Sequence, residues 1–264
     1  MTSTGIWGID RRALMVKPTK RRKLWRWLLL IAVLTPVAVT AFILMTLPDV
    51  SGLGTKNPSS TAFMKSRQEE ARRKGRTIAI QKEWVDFERI PELLKEAVRI
   101  TEDASFYWHK GIDFEEIKES LKRDLREKRF ARGGSTITQQ LAKNLFLSPR
   151  KNPLRKVREY FIARRLEKAL SKDRIFTLYL NLIELGSGIF GVQTASRYYF
   201  GRDVSELSLE EIVRLTAVIP RPITTDPRES NGWLNWRCRM ILEKLRFYKK
   251  ISEDEYQSLV GKFQ

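Results

Sequence analysis

The order of apolar and polar positions divides the chain before any single residue is weighed. Residues 27–48 form a run of 22 positions without a charge. About 20 apolar residues rising 1.5 Å each cross a hydrocarbon core of about 30 Å, so the run predicts a transmembrane helix over residues 28–47. Pro36 kinks such a helix without forbidding it, because membrane helices tolerate proline. A cleaved signal peptide is the competing reading, but its apolar region would span roughly 7–15 residues and be followed by a small-x-small site, and none follows here. Residues 49–62 are rich in Gly, Ser and Pro and read as a tether.

Beyond the tether the pattern is helical. Leu93, Leu94, Ala97, Val98 and Thr101 recur at helix spacing after Pro91, and residues 153–170 form a basic amphipathic helix with Leu154, Val157, Phe161, Ile162, Leu166 and Leu170 on one side. Asp113 with Glu116, Ser208 with Glu211 and Ser252 with Glu255 read as N-caps followed by capping-box acids. Residues 77–80 alone hint at a strand, and no internal repeat is present. The part beyond the tether is therefore mainly α, with its connections carrying the site.

Charge changes the picture twice. Residues 1–27 carry eight basic side chains and one acid, a net of +7, which by the positive-inside rule keeps this tail in the cytoplasm and exports the bulk of the chain. The remaining +12 sits wholly in residues 117–174, with 18 basic and six acidic side chains. Such asymmetry attracts anions. Next to a bilayer, outside the cytoplasm, lipid head groups and a phosphate-bearing substrate are favoured over nucleic acid. One cysteine, Cys238, and one histidine, His109, exclude a disulfide framework and Cys- or His-rich metal sites.

Three motifs carry candidate chemistry. Glu102 and Asp103 end an apolar helix among Phe106, Tyr107, Trp108 and His109, and aromatic surface beside a carboxyl desolvates it toward general acid or base work. The alternative is a pair of helix-end acids without a role. Gly133-Gly134-Ser135-Thr136, followed by Gln139, Gln140 and Lys143, suits a loop feeding a helix N-terminus that binds an anion, or an ordinary N-cap. Arg155, Lys156 and Arg158 with Glu159 form either a helix salt-bridge ladder or an acid set inside a phosphate-binding surface.

Together, and in this order, the three motifs resemble the peptidoglycan glycosyltransferase family. So do the further motifs Leu178-Tyr179-Leu180-Asn181, Ile183-Glu184-Leu185-Gly186-Ser187-Gly188, Gly191, Tyr199-Phe200-Gly201 and Pro220-Arg221-Pro222. The resemblance covers about residues 60–250, and the anchor with residues 60–64 is similar to the monofunctional branch. Ser148-Pro149-Arg150-Lys151 fits Ser-x-x-Lys, but no Lys-Thr-Gly follows, so no transpeptidase activity is expected. Thr177 and residues 194–197 depart from the usual pattern without touching the proposed acids.

The resemblance implies a lysozyme-like, mainly α domain with a small membrane-associated lobe between residues 106 and 130. It divides the chain into a cytoplasmic tail (1–27), a signal-anchor (28–47), a tether and lead-in segment (48–75) and the glycosyltransferase domain (76–264). The implied activity polymerises lipid II with inversion and releases undecaprenyl pyrophosphate. Glu102 matches the general base and Glu159 the second acid. Ser135, Gln139, Gln140, Lys143, Arg150, Arg155, Lys156 and Arg158 match donor-site positions. No cofactor is required, and Mg²⁺ or Mn²⁺ is admitted at the donor pyrophosphate. The implied partners are lipid II, the growing glycan, membrane lipids and other cell-wall synthesis proteins, with no nucleic acid, at a bacterial inner membrane. A glycan-cleaving lytic transglycosylase or muramidase, which also needs a catalytic Glu, and a non-enzymatic basic binding protein are the alternatives.

Overall fold

A computed structural model describes residues 19–127, 134–149 and 153–264. It divides the chain into two units, residues 1–47 and 48–264. The first contains helix α1 (Thr19–Met45), whose stretch Leu24–Met45 is long and apolar enough to cross a membrane, at 22 residues and a mean hydropathy of 2.7. The helix begins earlier than the apolar run. Lys20, Arg21, Arg22 and Lys23 contain no breaker, so the helix extends through the charged flank that the hydropathy pattern alone leaves out.

The second unit holds helices α2 (Ala62–Arg73), α3 (Glu92–Glu102), α4 (Phe114–Glu127), α5 (Ile137–Phe146), α6 (Pro153–Ala169), α7 (Lys172–Leu182), α8 (Val192–Phe200), α9 (Leu209–Ala217), α10 (Gly232–Phe247) and α11 (Glu253–Val260). It is mainly α, as the pattern predicts. Two packing groups build the core: α5 against α6 and α7, and α3 against α9 and α10. Helix α7 is buried from Ile175 to Leu182, as expected of a helix apolar on all sides at the centre of a fold.

A small sheet of order β1-β3-β2 completes the unit: β1 (Gln81–Lys82), β2 (Glu184–Gly186) and β3 (Ile189–Phe190), with β1 parallel and β2 antiparallel to β3. The strand hinted at over residues 77–80 therefore forms later in the chain. Pairing starts where Gln81 N–H donates to the Gly188 carbonyl at 2.8 Å, and residues 78 and 79 instead crowd Gly188. Gly191, with φ +84°, turns the chain into α8 so closely that a Cβ there would lie 2.6 Å from the Asn181 carbonyl oxygen. Only glycine meets both conditions.

The segment expected as a tether is fastened instead. Arg174 donates from Nε to the Leu53 carbonyl at 2.7 Å, and from Nη2 to the Lys56 carbonyl at 3.0 Å and Asn57 Oδ1 at 2.8 Å. Lys82 Nζ adds a bond to the Ser59 carbonyl at 3.2 Å. The segment also forms a short 3-10 helix, Ser51–Gly54, and neither that turn nor a distant cation satisfying carbonyls is visible to loop composition. On α6, Ile162 and Leu166 are buried as predicted, as is Leu170 just beyond its end, whereas Leu154 and Val157 at its start are exposed. The stretch proposed for the membrane-associated lobe contains α4, with Phe114 and Ile117 exposed; residues 128–133 lie outside the described residues.

Candidate active site

Glu102 is the last residue of α3, held there because Leu94, Ala97, Val98 and Ile100 bury that helix's apolar face. Asp103 leaves helical geometry (φ −164°) while its N–H still reaches the Arg99 carbonyl at 2.8 Å, so the helix ends cleanly. Each oxygen of the Glu102 carboxylate has a partner. Oε1 accepts from Arg237 Nη2 on α10 at 3.0 Å, and Oε2 accepts from Gln140 Nε2 on α5 at 3.1 Å. The Tyr179 hydroxyl on α7 donates to Gln140 Oε1 at 3.1 Å. The Glu102 and Arg237 side chains are 11% and 15% exposed, so the pair is largely withdrawn from water but still reachable.

Asp103, one residue on, is buried and spoken for. Its Oδ2 accepts from Ile137 N–H at 2.9 Å, and both of its oxygens lie 3.0 Å from His109 Nε2. Gly111 N–H donates to His109 Nδ1 at 3.0 Å, which leaves the ring proton on Nε2, facing Asp103. The α5 N-terminus is thereby closed from within. Thr136 and Gln139 form a capping box, and Asp103 supplies the anion that the sequence pattern offered to a ligand. The rings do not surround Glu102 as expected either: Phe106 is fully buried against Phe176, and Trp108 is 88% exposed. The cleft at Glu102 is polar.

The cations converge from α5 and α6. Glu159 is 4% exposed and pairs with Lys156, whose Nζ also donates to Ser135 Oγ at 2.9 Å. Arg155 Nη1 donates to the Pro149 carbonyl at 3.2 Å. Burial pushes the Lys143 ammonium pKa down; Glu159 opposes this, Arg155 and Lys156 add to it, and Glu102 opposes it more weakly. Lys143 therefore feels the charge of both acids and of two further cations. Arg158 is on the same helix as Glu159. Gln140 reaches Glu102, whereas Gln139 is buried with its amide oxygen closing the capping box. Arg150 lies outside the described residues.

Two clefts adjoin these side chains. One, of about 370 Å³, is lined by Glu102, Ser105, Ser135, Thr136, Lys244 and Tyr248. The other, of about 380 Å³, is lined by Phe63, Arg67, Gln140, Lys143, Arg221 and Pro222 among others. The Glu102–Gln140 hydrogen bond runs from a wall of one to a wall of the other. Sequence reasoning missed Arg237 and the pair between Arg67 and buried Glu184, in which Arg67 Nη2 lies 2.8 Å from Glu184 Oε2. A signal for Arg237 exists, since it interrupts an apolar stripe of Leu234, Cys238 and Ile241 on α10. Among the described residues, no three His, Cys, Asp or Glu side chains gather as a metal-holding group.

Residues 68–246 match the family model described as Transglycosylase. Three curated relatives, each named biosynthetic peptidoglycan transglycosylase, come from Nitrosospira multiformis, Nitrosomonas eutropha and Dechloromonas aromatica. The first is 45% identical over 189 residues, covering 72% of this chain and 82% of the relative. The second is 44% identical over 191 residues, covering 72% and 78%, and the third 42% over 192 residues, covering 73% and 83%. A crystal structure of penicillin-binding protein 1A from Haemophilus influenzae aligns with 70% of this chain at 20% identity and a TM-score of 0.40. This chain spans 18% of that much longer one.

Proposed function

The chain belongs to the transglycosylase family, and from that premise we propose how its residues perform the family's chemistry, with Glu102 as the base. The protein is a peptidoglycan glycosyltransferase that polymerises lipid II into glycan strands on a mainly α, lysozyme-like domain. In the proposed step the Glu102 carboxylate takes the proton of the acceptor sugar's 4-hydroxyl. The freed oxygen attacks C1 of the donor from the face opposite its pyrophosphate, forming the new C1–O bond as the C1–O–phosphate bond breaks. One displacement inverts C1. The leaving undecaprenyl pyrophosphate carries the electron pair away, and Lys143, Arg155, Lys156 and Arg158 meet its charge. Glu159 orders those cations.

The observation that carries this reading is the carboxylate of Glu102, fixed through both oxygens between two clefts with the Lys143–Glu159 cluster alongside. A reaction that joins two large substrates needs a base at such a junction. The Mg²⁺ or Mn²⁺ admitted from the resemblance finds no three-ligand protein cage among the described residues, and no step is routed through a metal. The apolar α1 anchors the protein in a membrane. The finer topology is proposed: a cytoplasmic basic tail, and a catalytic unit on the outer face of the bacterial inner membrane, where lipid-linked donors and other cell-wall synthesis proteins meet it.

Incubating the purified protein with lipid II and resolving the products tests the reading. Long uncrosslinked glycan is expected. Cleavage of added glycan without polymer would favour the lytic alternative, and no turnover of either substrate would favour a binding protein.

A further inference from the structure

Helix α10 buries Leu234, Cys238, Ile241, Leu242 and Leu245, and among them it carries a guanidinium. Burial pushes the Arg237 pKa down, with Glu102 as the chief opposing influence. Its Nε is one of two buried side-chain polar atoms without a hydrogen-bond partner among the described residues. The other is Thr101 Oγ1, next to Glu102 in sequence. A largely buried cation with an orphaned donor works against stability, so packing does not account for it. Among the described residues its ion pair is with Glu102 Oε1.

The other oxygen is controlled from further away. Gln140 can present either its amide N–H or its carbonyl to Glu102, and only the N–H is attractive. Tyr179 is fully buried, and its hydroxyl donates to Gln140 Oε1, which turns Nε2 toward the carboxylate. Without that hydroxyl both amide orientations become accessible, one of them setting oxygen against oxygen. One donor per oxygen leaves lone pairs on the carboxylate for the proton of an incoming hydroxyl.

We propose that Arg237 and Tyr179 are positioning residues for Glu102, Arg237 fixing one carboxylate oxygen directly and Tyr179 fixing the other through Gln140. The proposal rests on the reading of Glu102 as the base. Neither residue belongs to the cation cluster assigned to the pyrophosphate. Their loss therefore acts on turnover and leaves donor capture alone.

The test measures kcat and KM for lipid II with the full-length chain carrying Arg237→Met, Arg237→Lys or Tyr179→Phe, beside Glu102→Gln as reference. Misplacing a catalytic group by about 1 Å can cost about 10²-fold. Arg237→Met is expected to lose kcat on that scale, and Tyr179→Phe roughly tenfold, the scale of one hydrogen bond. KM should stay within about twofold. Arg237→Lys, which restores a cation, should regain at least about tenfold over Arg237→Met, and Tm should move by less than about 4 °C, roughly 1 kcal/mol for a domain of this size. A raised KM with unchanged kcat would overturn the proposal, as would a loss that merely tracks a fall in Tm and is not rescued by Arg237→Lys. Tyr179→Phe keeps the test open even where the charge change perturbs folding. Near-normal turnover of Arg237→Met and Tyr179→Phe beside an inactive Glu102→Gln removes the positioning role alone. An active Glu102→Gln removes the base and the positioning role together.

Discussion

Glu102 and Asp103 are adjacent in sequence and diverge in the fold. Both line the first cleft, but the Glu102 carboxylate is shared between Arg237 and Gln140, whereas that of Asp103 is committed to the α5 N-terminus and His109. The sequence shows two acids near aromatic and imidazole rings and cannot say which is buried, because that depends on where α5 begins 34 residues later. His109 has both nitrogens committed, Nδ1 to the Gly111 N–H and Nε2 to Asp103. Its replacement by alanine takes the imidazole donor from the buried Asp103 carboxylate, which keeps the Ile137 N–H, and the imidazole acceptor from the Gly111 N–H. His109→Ala should therefore lower stability by about 1–3 kcal/mol, several degrees in Tm, while folded enzyme keeps its turnover. A His109→Ala variant with unchanged Tm and lost turnover would put the imidazole in the chemistry.

At the scale of elements, local signals and long-range contacts part company. The caps at Ser208 and Ser252 were legible because a capping box is written within four residues, and both form reciprocal bonds. The small sheet was not, since each strand is only two or three residues long and β1 joins the β2–β3 hairpin from more than a hundred positions away. Gly191 shows what the motif residues do there. Asn181, fully buried, bonds the Val85 N–H and carbonyl at 2.8 and 2.9 Å, and Gly191 packs on the Asn181 backbone. Gly191→Ala combines a positive φ with a 2.6 Å approach to a carbonyl oxygen, so it should destabilise by more than about 1 kcal/mol, read as a lower Tm. An unchanged Tm would mean that the α7–α8 junction yields without strain.

Across the whole molecule, composition locates the basic surplus on which the proposed pyrophosphate site draws. The surplus of basic side chains falls on residues 117–174, and α5 and α6 bring Lys143, Arg155 and Lys156 from that window around Glu159. What composition could not supply is the partner from α10, since Arg237 lies 135 residues from Glu102. The anchor was legible from hydropathy, and its orientation gives a direct prediction: a reporter active only outside the cytoplasm, fused after Gln264, should be active. Activity only from a cytoplasmic reporter would reverse the topology. The central claim is that one carboxylate, held between two clefts, draws the proton that lets two lipid-linked sugars join. The most direct test is polymerisation of lipid II by Glu102→Gln, which keeps the shape of the side chain and removes its basicity. General-base assistance is worth roughly 10²–10⁴-fold. Glycan synthesis should fall by at least about 10²-fold in a protein that remains folded and still binds lipid II. A folded Glu102→Gln variant polymerising within about tenfold of wild type would contradict the account.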